Sequence, residues 1–452
     1  MAMLETPTLL RDLGDGLVLR RTTPADADAL AAFNSRIHSD GPEPDERIAA
    51  WTRDLLTRPH PTFAPDDFTL VEHVPSGRIV SSLNLISQEW AYGGVTFGVG
   101  RPEVVGTLPE FRNRGLVRTQ FDVIHQWSKD RGQLVQAITG IPFYYRQFGY
   151  EMGLALSGAR SGFAPDVPRL KDGEAEPFLI RPATVDDLPF LAATDAATVG
   201  RRDLITCPRS PALWRYELDG RSPDNLIGLA LRVITTPAGE RVGYLMHPPV
   251  LNEGWPGTGL AVLGYELAPE AGAGYTSVTP SVIRYLWQTA EALAAAKNKP
   301  VERFVFALGE AHPVYDACVR SLPRQRKPYA WYVRVPDLPA FLRRLAPALE
   351  ANLAQSPAAG YTGELKLNFY RRGLRLALEQ GRLTVVEPWQ PPVGDDGHAA
   401  FPNLTFLQLV FGYRTLEDLE YAYADCFSNR DEPRAVLAGL FPRRASNVWG
   451  IA

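Results

Sequence analysis

Residues 105–150 read VGTLPEFRNRGLVRTQFDVIHQWSKDRGQLVQAITGIPFYYRQFGY, and this stretch decides the fold. With Val104 it opens on Val105, Gly106 and Thr107, a short β-branched apolar segment that predicts the end of a buried strand, stopped by Pro109. From Val117 the period changes, and Val117, Phe121, Ile124 and Trp127 share one helical face. Between the two lies Arg112-Asn113-Arg114-Gly115-Leu116-Val117. A strand, a tight basic turn and a helix N-terminus make an anion site, because the first amides of a helix lack internal partners and the helix dipole favours negative charge there. Gly115 lets the backbone approach an anion, and Arg112, Arg114 and Arg118 add charge-assisted donors.

The register Arg-x-x-Gly after a strand ending in Val-x-Thr-x-Pro resembles the pyrophosphate-binding loop of the GNAT acyl-CoA N-acyltransferases. The run Tyr145-Arg146-Gln147-Phe148-Gly149-Tyr150 is similar to that superfamily's Y-x-x-x-G-[FY] signature. Val117 departs from the pattern, standing where the superfamily usually has Gly or Ala.

Working outward, 452 residues predict two to four domains, and 45% hydrophobic with 22% charged residues describe a soluble globular chain. A net charge of -4 and a pI of about 6.0 argue against nucleic acid as a main partner. Cys207, Cys318 and Cys426 lie far apart with no metal-ligand spacing, which predicts a reducing compartment, no disulfide framework and no metal site. No apolar run approaches the ~20 residues that span a bilayer. The first 15 residues lack the basic-then-apolar order of a signal peptide. The expected setting is cytoplasmic, away from membranes.

Before the central stretch, Leu17–Arg20 begins a strand and Pro24-Ala25-Asp26 opens a helix; Phe68–Val74 and Arg78–Ile86 read as strands joined by a Pro-Ser-Gly turn, and Phe97–Val105 as a third. The loop carrying Asp40, Glu43, Asp45 and Glu46 has two readings, a solvated loop or an acidic lip that attracts a cationic amine. A repeat then shows itself. Leu17–Asp26 recurs as Phe178–Asp187 with Arg20 matching Arg181, a spacing of 181 minus 20, or 161 residues. That is a duplicated domain rather than a solenoid. Ser157–Glu176 reads as the linker between the copies.

The second copy lacks the basic turn. Gly259–Ala268 reads as the counterpart strand and Ser281–Ala296 as the following helix, with Pro269–Pro280 between them carrying Glu270 and no Arg-x-x-Gly. His312, Pro313 and Tyr315 have two readings, helix-start residues packing at a domain edge or residues recruited into catalysis, and the first is the expectation. From Pro336 a helix (Asp337–Leu353), three strands between Gly363 and Val386, and helices at Asn403–Arg414, Glu417–Tyr423 and Arg434–Leu440 form a third unit.

This third unit resembles a sterol-carrier-protein-like domain, and the whole order is similar to the enhanced-intracellular-survival (Eis) acetyltransferases. The resemblance implies an α/β (α+β) chain. Residues 1–160 are then a catalytic GNAT domain, 176–335 a degenerate GNAT domain without a cofactor loop, and 336–452 the sterol-carrier-like domain. It implies acetyl-CoA as cosubstrate, no metal, a small polycationic amine such as an aminoglycoside or polyamine as acceptor, and a homohexamer. Its cofactor-binding residues fall on Val105, Gly106, Thr107, Asn113, Arg114, Gly115, Leu116, Val117, Arg118, Gly140 and Ile141. Its general acid falls on Tyr145, with Tyr144 a neighbouring competitor, and its general base on the carboxylate of Ala452, with Trp449 as the anchoring ring. Without the resemblance, Tyr145 reads as a tyrosine that only packs, as buried tyrosines generally do. Two other functions stay open: acetylation of protein lysines, and binding of a lipid or other apolar ligand by the tail.

Overall fold

The computed structural model describes residues 8–253 and 257–448. The chain enters through β1 (Leu9–Gly14) and β2 (Leu17–Arg21), then turns through Pro24–Asp26 into α1 (Ala27–Ile37) and α2 (Glu46–Thr57). Next come the antiparallel strands β3 (Phe68–His73), β4 (Arg78–Tyr92) and β5 (Val95–Thr107). Helix α3 (Leu116–Asp130) crosses to β6 (Val135–Ile138), parallel to β5, and β7 (Glu151–Leu156) and β8 (Ala159–Phe163) end this half. Helix α3 buries Leu116, Phe121, Ile124 and Trp127, as the 3.6-residue period requires, and leaves Val117 half-buried.

The second half runs β9 (Leu179–Pro182), α4 (Leu188–Arg202), β10 (Ile205–Thr206), α5 (Pro211–Arg215), β11 (Ala230–Thr235) and β12 (Arg241–His247). It continues with β13 (Gly259–Val262), β14 (Gly264–Leu267), α6 (Tyr275–Ala295), β15 (Arg303–Phe306), α7 (Val314–Ala317), β16 (Arg324–Arg326) and β17 (Tyr329–Arg334). The 161-residue spacing has a physical basis in one local device used twice. Arg20 donates to both oxygens of Asp26 at 3.0 and 2.7 Å, and Arg181 does the same to Asp187 at 2.7 and 2.9 Å. Each aspartate also accepts the backbone N–H of the threonine three residues before it, Thr23 or Thr184, which fixes the strand-to-helix turn.

Two expectations for this half are corrected. The strand expected over Gly259–Ala268 is broken at Leu263, with β13 pairing β15 and β14 pairing β12. The loop expected up to Pro280 ends at Gly274. Pro280 lies inside α6 as its sixth residue, where it removes the hydrogen bond its nitrogen would have given Thr276.

The halves trade strands. The first sheet has the order β1-β2-β3-β4-β5-β6-β17-β7, with β10 beside β4, so Tyr329–Arg334 from the second half sits between β6 and β7. In return β8 lies between β15 and β16 in the sheet β13-β15-β8-β16, while β14-β12-β11-β9 forms the other sheet of the second half. The boundaries expected at 160 and 335 are therefore crossed in both directions, and part of the expected linker, Ala159–Phe163, is a central strand. In the other half's sheet each traded strand has a hydrogen-bonded neighbour on both sides, so its backbone groups are satisfied there.

The tail holds α8 (Leu338–Ala354), β18 (Gly363–Asn368), β19 (Gly373–Glu379), β20 (Arg382–Trp389), β21 (Ala399–Ala400), α9 (Phe406–Val410), α10 (Leu416–Ala422), β22 (Phe427–Ser428) and α11 (Asp431–Leu440). Its sheet order is β20-β19-β18-β21-β22. The tail shares its core with the first sheet: the Phe341 ring packs edge-on against Phe97 at 5.2 Å and stacks on Phe411 at 5.5 Å. From α11 the chain returns to the first sheet, where Asn447 bridges Thr206 and its N–H reaches Ile205 O at 3.0 Å.

Candidate active site

The site begins where β5 leaves β6. Their ladder ends at Gly100 opposite Gln136, while β4 follows β5 on to Thr107. Within that pairing Leu83 faces both Val104 and Val105, a β-bulge with Val104 at φ 53°. The bulge turns the strand, and among the described residues the outer edge of Val105, Gly106 and Thr107 has no ladder partner. An open edge of this kind accepts an extended chain as an added strand. Gly106 is required by space, since a Cβ there would meet Ile37 Cγ2 at 2.4 Å and His38 Nε2 at 3.3 Å. That His38 nitrogen is buried without a hydrogen-bond partner; burial holds the ring below its usual pKa, against the opposing pull of the Val104 carbonyl.

Beyond Pro109–Phe111, Asn113 and Gly115 take positive φ, 61° and 76°. Nothing lies within 4 Å of a Cβ built on Gly115, so it is conformation rather than room that selects glycine there. Gly115 caps α3 without a side-chain bond, and no acidic residue stands in the first turn. The amides of Leu116, Val117 and Arg118 are thus free to face an anion. Arg112, Arg114 and Arg118 are exposed, and among the described residues none is paired with a carboxylate. They are steadied by weaker contacts: Arg112 Nε to Thr107 O at 3.3 Å, Arg114 over Phe111, and Arg118 to Gln147 Oε1 at 2.9 Å. A donor set of open amides and unpaired guanidinia fits a pyrophosphate.

Across the cleft, Tyr144–Phe148 forms one short 3-10 turn. Tyr145 is 4% exposed, its ring among Phe121, Tyr144, Tyr150 and Tyr332. No hydrogen bond joins its hydroxyl to another described residue, and the hydroxyl lies 3.8 Å from the Cβ position of Gly140, whose φ is 122°. Burial, then the charge of Glu103, then Tyr144 and Tyr332 push this phenol well above its ordinary range, so it carries its proton. Ile141 is exposed beside it, and its carbonyl accepts the Tyr144 N–H at 3.3 Å.

The structure packs Val105 and Val117 in one apolar cluster with Tyr144, Tyr145 and Phe148, sets Arg118 against Gln147, and puts the bare Gly140 beside the Tyr145 hydroxyl. Ala452 and Trp449 lie outside the described residues. Sequence reasoning missed Glu103, which is buried against Arg101 on β5, and Trp331 and Tyr332 of β17. The Trp331 ring stacks under Arg101 at 4.2 Å, and the Tyr332 hydroxyl accepts the Phe143 N–H at 2.6 Å. The run Tyr329-Ala-Trp-Tyr-Val-Arg has strand composition, but nothing local says which sheet it joins.

Residues 19–153 match the family model described as an acetyltransferase (GNAT) domain. The chain carries a GNAT acetyltransferase domain. Enzymes of this kind use acetyl-CoA, and the cleft's open strand edge and anion turn both lie within the matched residues of the GNAT domain. No curated protein matches the chain by sequence. Solved structures share its mixed α/β fold along almost the whole length. A probable N-acyltransferase from Enterococcus faecalis V583 is 12% identical with a TM-score of 0.64, over 95% of this chain and 97% of that one. A GCN5-related N-acetyltransferase from Kribbella flavida is 18% identical with a TM-score of 0.62, over 96% and 97%. Eis1 from Mycobacterium abscessus is 14% identical with a TM-score of 0.58, over 95% and 99%. Among the described residues, no helix is long and apolar enough to cross a membrane.

Proposed function

We propose that the chain transfers an acetyl group from acetyl-CoA to a primary amine by direct attack on the thioester. The observation that carries this reading is the buried Tyr145 side chain, whose hydroxyl bonds no other described residue and lies against the bare backbone of Gly140 just beyond β6. Acetyl-CoA supplies the activated acyl group. The Leu116–Arg118 amides with Asn113, Arg112 and Arg114 hold its pyrophosphate, and the Val105–Thr107 edge aligns its pantetheine arm. Gly140 and Ile141 leave room for the thioester end.

Tyr145 gives its proton to the departing sulfur. With ordinary values of about 10 for a phenol and about 8.5 for a thiol this transfer is uphill by about 1.5 units, or about 2 kcal/mol. Burial makes it steeper, so the step is coupled to proton loss from the amine. That proton goes to the carboxylate of Ala452, and after thiol release it passes from the carboxyl to the Tyr145 phenolate, which restores both groups. The last described residues, Asn447 and Val448, line a cavity with Thr139, the residue before Gly140, which supports delivery of the chain end to this cleft.

The finer family reading follows: tandem GNAT domains, the second without a cofactor site, a sterol-carrier-like tail over 336–452, a homohexamer, and polyamine- or aminoglycoside-like acceptors. The repeated Arg–Asp turn and the repeated strand order support the tandem reading. A cavity of about 820 Å³ between the tail and the first domain, lined by Phe406, Leu374 and Trp389, favours a second role in holding an apolar ligand.

The test is thiol release from acetyl-CoA across a panel of amines, for wild type, Tyr145→Phe and a chain extended by one C-terminal glycine. A fall of a hundredfold or more in both variants, the low end of a general acid–base contribution of about 10²–10⁴, supports both proton roles. Wild-type levels in either variant refute the role assigned to that group.

A further inference from the structure

We propose that the second half carries a binding site of its own, for a small zwitterion of the α-amino-acid class with an apolar side chain. A cavity of about 330 Å³ lies between α4, the segment from β10 to α5, β12 and the β4–β5 hairpin of the first sheet. Small-molecule pockets begin at about this size, roughly 300–1,000 Å³. No described residue assigned to acetyl transfer lines it. Leu263 and Gly264 stand in its wall, where the chain leaves β15 and goes on beside β12. On the duplicated-domain reading this is the counterpart of the place where β5 leaves β6, with two opposite charges in place of the basic turn.

The charges are Asp195 on α4 and Arg209, whose side chains are 14% and 8% exposed. Arg209 Nη1 stands 3.8 Å from Asp195 Oδ1, near enough to feel its charge and too far for a hydrogen bond. Both are braced from behind. The Tyr244 hydroxyl donates to Asp195 Oδ1 at 2.6 Å, and the Arg209 guanidinium lies over the Trp214 ring at 5.1 Å. Trp214 and Tyr244 meet edge to face at 5.8 Å. Among the described residues, none hydrogen-bonds Asp195 Oδ2.

The second carboxylate in the wall shows what Asp195 lacks. Burial would raise Glu266, but hydrogen bonds from His312 and Arg202 bring its pKa down to about 2. At Asp195 burial prevails over the opposing pull of Arg209 and Tyr244, and the carboxyl is raised. An incoming ammonium completes such a group, exchanging its water for a charged partner. A lone amine would also set a second cation beside Arg209, and a lone carboxylate a second anion beside Asp195. An α-amino acid carries both charges on one carbon, so its ammonium meets Asp195 and its carboxylate meets the Arg209 fork. Ala192, Val199, Met246 and Leu308 give the side chain an apolar wall, and the exposed Ala196, Gly200 and Arg201 mark the way in.

The experiment is titration calorimetry on the full-length chain. The probes are L-leucine and L-phenylalanine, with the amine-only analogues 3-methylbutylamine and 2-phenylethylamine and the acid-only analogues 4-methylpentanoate and 3-phenylpropanoate. The expected result is a Kd below about 1 mM for at least one of the amino acids. Both of its analogues then bind at least tenfold more weakly. Asp195→Asn and Arg209→Gln each weaken binding tenfold or more. Ala192→Leu fills the cavity while keeping both charges, so it removes binding even where a charge variant fails to fold. Gly140→Val, which fills the space before Tyr145, leaves the affinity within twofold. Binding lost in Gly140→Val belongs to the acetyl-transfer cleft and overturns the proposal. It is overturned equally if neither amino acid binds, if an analogue matches its parent, or if Ala192→Leu binds as wild type.

Discussion

The Tyr145 hydroxyl lies 3.8 Å from the point where a side chain at Gly140 would begin. The bare glycine, at φ 122°, keeps the space in front of the phenol open, in a backbone region other residues enter only at a cost of about 1–3 kcal/mol. Gly140→Val places methyl groups in that space. Its kcat is expected to fall at least tenfold, with the KM for acetyl-CoA within threefold and an unchanged far-UV circular dichroism spectrum. A kcat near wild type shows that the space is not used in the reaction.

The three arginines at the start of α3 make a separate prediction. A hydrogen bond to a charged group contributes about 1.5–3 kcal/mol. Each of Arg112→Ala, Arg114→Ala and Arg118→Ala is therefore expected to raise the KM for acetyl-CoA by about tenfold, at about 1.4 kcal/mol per decade, with kcat little changed. The triple variant also loses most of the salt dependence of that KM, which steady-state kinetics between 0.05 and 0.5 M salt (roughly the range over which the Debye length shrinks severalfold) reads directly.

His125 on α3 gives the fold an acid sensitivity. Its ring hydrogen-bonds the Tyr150 hydroxyl at 2.8 Å, and burial, helped by the Arg334 charge, pushes its pKa down to about 3. The unfolded chain takes up a proton near the ordinary value of about 6.5 while the folded chain does not, so stability falls as pH drops below that value. The slope from this group reaches at most about 1.4 kcal/mol per pH unit. Urea midpoints at pH 7 and pH 5 should therefore differ less in His125→Gln than in wild type; equal differences count against the assignment.

Phe341 joins the tail to the first sheet. Removing such a ring costs about 3–5 kcal/mol. Phe341→Ala is expected to lower the melting temperature of the whole chain in one step, because the same core runs through both units. An early separate transition for the tail, seen by calorimetry, contradicts that continuity.

What the sequence disclosed divides along the distance over which each feature is decided. Helix α3 and its basic turn were legible because period, glycine and arginines lie within a few residues of one another. The spacing from Arg20 to Arg181 was legible for the same reason: both arginines serve an aspartate six residues on. Strand β17 was readable as a strand and not as a member of the first sheet, since either sheet satisfies an alternating apolar run locally. Pro280 misplaced the start of α6 because an interior proline costs about 3 kcal/mol, which the buried face of Val278, Val282, Ile283 and Leu286 outweighs.

The traded strands also impose an order in time. The first sheet needs Tyr329–Arg334 between β6 and β7, yet β7 ends at Leu156, so 334 minus 156, or 178 further residues, must be synthesised before it can close. At about 5–20 residues per second that is a wait of roughly 10–35 s. Through that interval the nascent domain leaves the ribosome with the strand edges on either side of the slot unpaired, which makes it a client for chaperones. The enzyme's cleft comes into being only as the second half is delivered.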